Sequence, residues 1–365
     1  MSSIADRVRE LKETLKPPAV EIDSPQVKLA RKSFTKEDFR ERAWRDHAFF
    51  CQELFPLAFY VPFCTAHMEI IELMFDPHPC VSVIAPRKLG KTPIICFSYP
   101  MKCALYDMES YIVIVSETLD ESKRHVQKIT AALETNEKLH YYYGSFIDRK
   151  NRETQKDSVQ LTTGLWIRAK SYLKQIRGTA GDWTPPSLII VDDPQSNKDV
   201  KTEKALTDAK NWFNDEIMYS KAQRWRHARI DHVGRGKVRF LGTSLHPLCL
   251  AEIMDADTRF LSKRYSILQN EHGEPDTVNG TSIWEAMFPT AELIAEMNEA
   301  EKNQTLGNWL QERMNMPYKF GDRKFDVEDM RYWDIGGNHF DIVNGIPCLV
   351  QETLLKLEEE LVYGA

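Results

Sequence analysis

Residues 81–92 read "VSVIAPRKLGKT", an apolar run followed by a short basic, glycine-containing loop. The last eight residues nearly spell the phosphate-binding pattern G-x-x-x-x-G-K-[ST]. Gly90, Lys91 and Thr92 supply its second glycine, its lysine and its hydroxyl, whereas Ala85 stands where the first glycine is expected. An apolar β-rich run before the loop and an apolar helical stretch after it predict a strand, a phosphate loop and a helix in succession.

Such a loop binds phosphate because consecutive backbone N–H groups point into one concavity at the start of a helix. We expect Lys91 to pair with the β- and γ-phosphates of a nucleotide and Thr92 to hold Mg²⁺. Taken alone, the motif could also be a surface turn with an accidental lysine. The nucleotide-binding candidates in the loop are Ala85, Pro86, Arg87, Lys88, Leu89, Gly90, Lys91 and Thr92.

Two acids follow a second apolar run, "SLIIVDDP" at residues 187–194. Asp192 stands at the predicted strand end, where a carboxylate can hold Mg²⁺. Asp193 is expected to point toward the position of an attacking water. The alternative is that the two acids cap the following helix. A third run, "FLGTSLHP" at residues 240–247, ends in a Gly-Thr turn, and the Thr243 hydroxyl is a candidate contact to the γ-phosphate.

The three motifs belong to a series of strand-like and helix-like segments. "SYIVIVSET" at residues 110–118 and "LTTGLWIRAKS" at 161–171 read as further strands, and residues 119–136 between them read as a helix. This alternation predicts an α/β fold with a mainly parallel central sheet flanked by helices. Ligands bind beyond the carboxyl ends of parallel strands, so we expect all three motifs at one sheet edge.

Together, the motifs resemble the large terminase subunit of tailed bacteriophages, the ATPase that pumps DNA into a procapsid. That family has a deviant phosphate loop, often with an arginine where Arg87 stands, then an apolar strand ending in two acids and a Gly-Thr coupling motif. The resemblance covers roughly residues 50–335 in this order. It extends to segments outside the three motifs, namely "IRGTAG" (176–181), "TSIWEAMFP" (281–289), "LGNWLQERMNMP" (306–317) and "FDVEDMRYW" (325–333).

The resemblance implies a P-loop NTPase fold with a small, mostly helical supporting subdomain. It implies an ATP-hydrolysing motor that uses ATP and Mg²⁺ to translocate double-stranded DNA in the host cell cytoplasm during virion assembly. The implied partners are the portal protein, the small terminase subunit and further copies of the chain in a ring. Arg87 would be an arginine finger within the chain, and Asp193 stands where most such motors have a glutamate.

The expected organisation is a helical N-terminal arm over residues 1–45, an ATPase core over 46–255, a supporting subdomain and linker over 256–335, and a tail over 336–365. The family normally carries a C-terminal nuclease domain. About 30 residues follow Trp333 in this sequence, which is too few for such a domain. We therefore expect no nuclease activity from this chain alone.

Composition limits the remaining possibilities. A formal charge of −6 means that any DNA contact needs a local basic surface, for which residues 221–239 are the candidate; the alternative is that this segment is a solvated helix face and a basic turn. Seven scattered cysteines fit reduced thiols. The charged N-terminus is not a signal peptide, and no run is apolar enough for a membrane span, so no membrane partner is expected. Tyr60 or His67 could touch the adenine base, although a core role is the commoner one.

Two other functions remain open from the sequence. The chain could be another P-loop DNA translocase or helicase-like ATPase, although no second P-loop-like sheet domain is apparent. It could also be a non-hydrolysing phage assembly protein with a relic nucleotide site. The presence of Lys91, Thr92, Asp192 and Asp193 together argues against a relic.

Overall fold

The computed structural model describes residues 34–147, 157–176, 185–226, 233–317, 340–343 and 346–349. These belong to two compact units, Met1–Tyr318 and Lys319–Ala365. Residues 1–33 of the predicted N-terminal arm, most of "IRGTAG", all of "FDVEDMRYW" and most of the predicted tail lie outside the described residues.

Within the described residues, three helices precede the sheet. The first begins where Thr35 caps it by accepting a hydrogen bond from the Asp38 N–H. Its apolar positions Phe39 and Ala43, four residues apart, are buried on one face. The helices are α1 (Lys36–Arg45), α2 (His47–Leu54) and α3 (Thr65–Phe75).

The strand, loop and helix predicted around residues 81–92 are present. Strand β1 (Cys80–Ile84) is buried along its whole length and runs into the predicted phosphate-binding loop. A π-helical segment (Pro93–Ser98) follows, with Pro93 in its first turn, and continues into helix α4 (Tyr99–Leu105). Proline is tolerated in a first turn because the N–H that it lacks would have no partner within the helix.

Seven of the described strands form one sheet in the order β3-β4-β2-β5-β8-β1-β9. Every neighbouring pair is parallel except β3 and β4. The predicted α/β class with a mainly parallel sheet flanked by helices is therefore confirmed. The strands after β1 are β2 (Tyr111–Ser116), β3 (Ser158–Gln160), β4 (Trp166–Ser171), β5 (Leu188–Asp192), β8 (Lys237–Gly242) and β9 (Leu261–Arg264).

Burial on both faces explains why the central strands β2 and β5 are almost entirely apolar. In β5, Leu188 and Ile190 join the larger core cluster, whereas Ile189 and Val191 join a second cluster on the other face. The remaining helices are α5 (Leu119–Thr135), α6 (Glu137–Tyr143), α7 (Glu203–Trp212, followed by a π-helical segment, Phe213–Met218), α8 (Leu250–Ala256), α9 (Thr290–Lys302) and α10 (Leu306–Met314).

Edge strand β9 adds to the sheet beyond the expected end of the ATPase core at residue 255. It pairs in parallel with β1, with Val83 opposite Lys263. The residues of β9 alternate between exposed and half-buried, and its sequence, LSKR, is not an apolar run. The division into an arm, a core, a subdomain and a tail stays a prediction.

Two short pairings complete the first unit, β6 (Trp225–Arg226) with β7 (Val233–Gly234), and β10 (Leu268–Gln269) with β11 (Thr281–Ser282). The second unit contains an antiparallel hairpin of β12 (Phe340–Val343) and β13 (Ile346–Leu349), which lies within the predicted tail. Within the described residues, no helix is long and apolar enough to span a membrane.

Candidate nucleotide-binding site

Lys91 lies at the junction of the three sequence motifs. Its ammonium donates to the carbonyl oxygens of Ala85 at 2.9 Å and Gly242 at 3.3 Å, and to Thr243 Oγ1 at 2.7 Å. It also forms an ion pair with Asp193, with 3.0 Å between Nζ and Oδ2. The Lys91 side chain is only 4% exposed, so the charge is held in a fixed position beside the loop.

Asp193 and Thr243 meet at this ammonium from neighbouring strands. Strands β5 and β8 are parallel, so their carboxyl ends deliver the two residues to the same edge of the sheet. Asp193 has a left-handed backbone with φ 39°, an uncommon conformation for a residue with a side chain. Its Oδ1 accepts a 3.1 Å hydrogen bond from Thr243 Oγ1, which closes a triangle with Lys91. Three predicted catalytic residues are therefore in direct contact.

Thr92 and Asp192, the predicted metal ligands, also meet. Thr92 Oγ1 donates to Asp192 Oδ1 at 3.2 Å. Both atoms are oxygens next to a phosphate-binding loop, which is the donor set that Mg²⁺ prefers. The separation lets both oxygens reach one small cation, so these residues fit a magnesium site.

The second Asp192 oxygen faces a residue that the sequence did not single out. His125, on the buried face of α5, places Nε2 3.2 Å from Asp192 Oδ2. Cys96, in the π-helical segment, completes this buried group. Burial, and then the nearby Asp192 carboxylate, raise the pKa of the Cys96 thiol well above its usual value. In the sequence, His125 is only a histidine within the apolar stripe of a predicted helix, and such a histidine is usually a core residue. The sequence therefore offers little reason to place it at the site.

The loop between β1 and the π-helical segment has a distinct shape. Gly90 has φ 77°, which glycine adopts without strain, and Lys88 adopts φ 68° despite its side chain. His67 anchors the loop because its Nε2 donates to the Leu89 carbonyl at 2.6 Å while its Nδ1 accepts from the Cys64 N–H at 3.1 Å. Burial lowers the pKa of His67, which favours the neutral ring.

A cavity of about 420 Å³ opens over the loop, within the size range of small-molecule sites. Burial, and then the Asp192 and Glu117 carboxylates, raise the pKa of Glu121 at its rim. Arg87 forms an ion pair with Glu312 of α10, with 3.0 Å between Nη1 and Oε1. The cavity is lined by Arg87, Lys88, Gly90, Lys91, Thr92, Pro93, Glu117, Glu121, Asp193 and Gln195.

A smaller pocket of about 80 Å³ adjoins the loop and shares Gly90 and Pro93 with the cavity. Tyr60, the candidate adenine contact, lines it and is 74% exposed. His67 lines the same pocket but is buried and bound to the loop, as its expected core role requires. Trp284 packs edge-on against His67, with 4.4 Å between ring centroids.

The basic segment over residues 221–239 is less available to DNA than its composition suggests. Arg239 is fully buried and donates to the carbonyls of Met74, Asp76, His78 and Val238. Lys237 pairs with Glu109, which is buried. These two residues therefore stabilise the fold, which corrects their reading as phosphate contacts. Residues 227–232 lie outside the described residues.

Several solved structures are similar to this fold. The HK97 bacteriophage large terminase is 12% identical, with 70% of this chain and 51% of that chain covered and a TM-score of 0.44. The large terminase ATPase domain of Thermus phage P74-26 is 11% identical, with 69% and 98% covered and a TM-score of 0.39. The large terminase of the thermophilic bacteriophage D6E in complex with ADP is 13% identical, with 56% and 46% covered and a TM-score of 0.33.

The similar structures are those of large terminases, the family that the motifs resemble. The chain spans about half the length of the D6E and HK97 proteins, 46% and 51% respectively. No family model and no curated protein matches the chain. At these identities, the similarity concerns the fold.

Proposed function

We propose that this chain is the ATP-hydrolysing motor subunit of a viral terminase, which translocates double-stranded DNA into a procapsid. The observation that carries the ATPase part is the buried Lys91 ammonium, held between Asp193 and Thr243 next to the Thr92–Asp192 pair. The DNA-packaging part rests on the order of the sequence motifs, which resembles that of large terminases.

In this proposal, Lys91 and the loop backbone bind the β- and γ-phosphates of ATP. The ammonium neutralises charge on the transferring phosphoryl group, an electrostatic effect typically worth about 10²–10³ in rate. The incoming phosphate competes with the Asp193 carboxylate for Lys91, because both are anions that need the same cation. Nucleotide binding therefore weakens the Lys91–Asp193 pair.

Thr92 and Asp192 would hold Mg²⁺, since their two oxygens already lie 3.2 Å apart at the edge of the cavity. When bound, this ion neutralises charge on the phosphate oxygens. On its other side the Asp192 carboxylate faces His125, with 3.2 Å between Oδ2 and Nε2.

Asp193, once it releases Lys91, orients the attacking water and accepts its proton. The Thr243 hydroxyl contacts both residues and reports whether the ammonium is paired with the carboxylate or with phosphate. Arg87 acts as the finger by leaving Glu312 for the γ-phosphate. That exchange is inexpensive because both side chains are partly exposed, and such ion pairs contribute about 1 kcal/mol or less.

The proposed partners are double-stranded DNA, the portal protein and the small terminase subunit, with the chain acting as a homo-oligomeric ring in the host cytoplasm during assembly. The candidates for phosphate contacts are Arg235, which is exposed, and, from the sequence alone, Arg229. A motor that must move along any sequence needs contacts to the DNA backbone and not to the bases.

Displacement of a third strand from a DNA triplex tests this function. The full chain, ATP and Mg²⁺ are mixed with a duplex that carries a labelled triplex-forming strand. We expect ATP-dependent release of the third strand while the duplex strands stay paired, and no release by Lys91→Ala. Separation of the duplex strands would instead identify a helicase, and absence of both release and ATP turnover would indicate a relic site.

A further inference from the structure

A second group of metal-binding side chains meets at Asp192. Cys96 comes from the π-helical segment, His125 from the middle of α5 and Asp192 from the end of β5. Each offers one ligand atom, and these atoms all lie within 4.8 Å of one another. All three side chains are buried, so the group is enclosed by the core of the fold and is not a surface accumulation of acids.

The spacing of His125 and Asp192 is compatible with two ligands of one ion. Their nearest atoms, Nε2 and Oδ2, lie 3.2 Å apart, yet Nε2 has no hydrogen-bond partner among the described residues. A tetrahedral zinc ion with Zn–N and Zn–O bonds of about 2.1 Å separates its nitrogen and oxygen ligands by about 3.4 Å. The nitrogen is therefore at the distance from the carboxylate that a shared ion requires.

The donor types indicate which cation the group prefers. A thiolate, an imidazole and a carboxylate are typical ligands of Zn²⁺, whereas Mg²⁺ selects oxygen atoms. Binding converts the Cys96 thiol into a metal-bound thiolate and releases its proton to solvent, without any redox change. A water molecule would complete the four ligands.

We propose that Cys96, His125 and Asp192 form a binding site for a thiophilic divalent cation, with Zn²⁺ as the favoured ion. The ion binds through Asp192 Oδ2, while Oδ1 faces Thr92. Its charge draws the Asp192 carboxylate away from Thr92, so Zn²⁺ inhibits ATP turnover. That inhibition rests on the proposed ATPase function, whereas the binding of the ion does not.

Cobalt absorption tests the site without any nucleotide. Co²⁺ is added to the full chain, and we expect a sulfur-to-cobalt charge-transfer band with a stoichiometry of one, which Zn²⁺ abolishes. Cys96→Ser should lose the band. Cys64→Ser is the matched control, because Cys64 Sγ also lies near a histidine, 3.4 Å from His67 Nδ1, and this variant should keep the band. No band in the unmodified chain, or a band that survives Cys96→Ser, would overturn the proposal.

A second variant keeps the test decisive if Cys96→Ser does not fold. His125→Gln retains the thiol, and we expect it to bind Co²⁺ at least about tenfold more weakly than the unmodified chain, since one of three protein ligands is lost. Equal affinity would contradict the site. Inhibition by Zn²⁺ is then measured relative to the uninhibited rate of each variant. If the chain does not hydrolyse ATP at all, the proposed function fails while the cobalt result still decides the metal site.

Discussion

Replacing Asp193 by asparagine separates nucleotide binding from hydrolysis. The Asp193 carboxylate lies 3.0 Å from the Lys91 ammonium, which corresponds to about 5 kcal/mol of attraction at an effective dielectric constant of about 20. The Asp193 carboxylate is one-third exposed, so water screens much of this attraction. We therefore take the net stabilisation of the pair to be that of a weak charged hydrogen bond, about 1.5 kcal/mol. Asp193→Asn removes this competitor of the phosphate without changing the shape of the side chain.

We therefore expect Asp193→Asn to bind ATP up to about tenfold more tightly, because about 1.4 kcal/mol corresponds to a factor of ten. Turnover should fall by at least about 10², since the amide cannot accept the proton of the attacking water. Fluorescent-nucleotide titration gives the affinity and phosphate release gives the rate. Asp192→Asn is the control, and it should lose Mg²⁺-dependent affinity. Normal turnover, or tenfold weaker binding, by Asp193→Asn would refute this reasoning.

Two further predictions concern arginines with contrasting environments. Arg87→Ala should leave ATP affinity within a few-fold but lower phosphate release by at least about 10², whereas Lys88→Ala should do much less. If Lys88→Ala is the inactive variant, Arg87 is not the finger. Arg239→Met should lower the free energy of unfolding in urea by about 3–5 kcal/mol, because it leaves buried carbonyls without their cationic donor. The exposed control Arg235→Met should change it by under about 0.5 kcal/mol, and equal stability of the two variants would contradict the structural role.

The central strands were predictable because burial on both faces makes them uninterrupted apolar runs. Strands β2 and β5 have this character, and β1 has it apart from Ser82. Strand β8 is also buried but contains Lys237 and Arg239, so only its end is an apolar run. Strand β9 escaped prediction because it lies at the edge of the sheet, where its residues alternate between exposed and half-buried. Its place next to β1 is fixed by pairing between distant segments, which local pattern does not encode.

The meeting of Lys91, Asp193 and Thr243 was predictable for a topological reason. Each follows a strand whose carboxyl end must lie at the same edge of a parallel sheet. The partners around them were not predictable in this way. Glu312 reaches Arg87 from α10, and His125 reaches Asp192 from the buried stripe of α5. Sequence periodicity indicates that a helical face is buried, but it does not indicate which residue that face contacts.

Steady-state ATP hydrolysis by Lys91→Ala, measured beside Lys88→Ala, tests the nucleotide site most directly. The two lysines are three residues apart in one loop. Lys91 is buried and contacts Asp193 and Thr243, whereas Lys88 is exposed. We expect phosphate release by Lys91→Ala to fall by at least about 10² and that by Lys88→Ala to stay within a few-fold of the unmodified chain. Near-normal hydrolysis by Lys91→Ala would contradict the assignment of this loop as the phosphate-binding site.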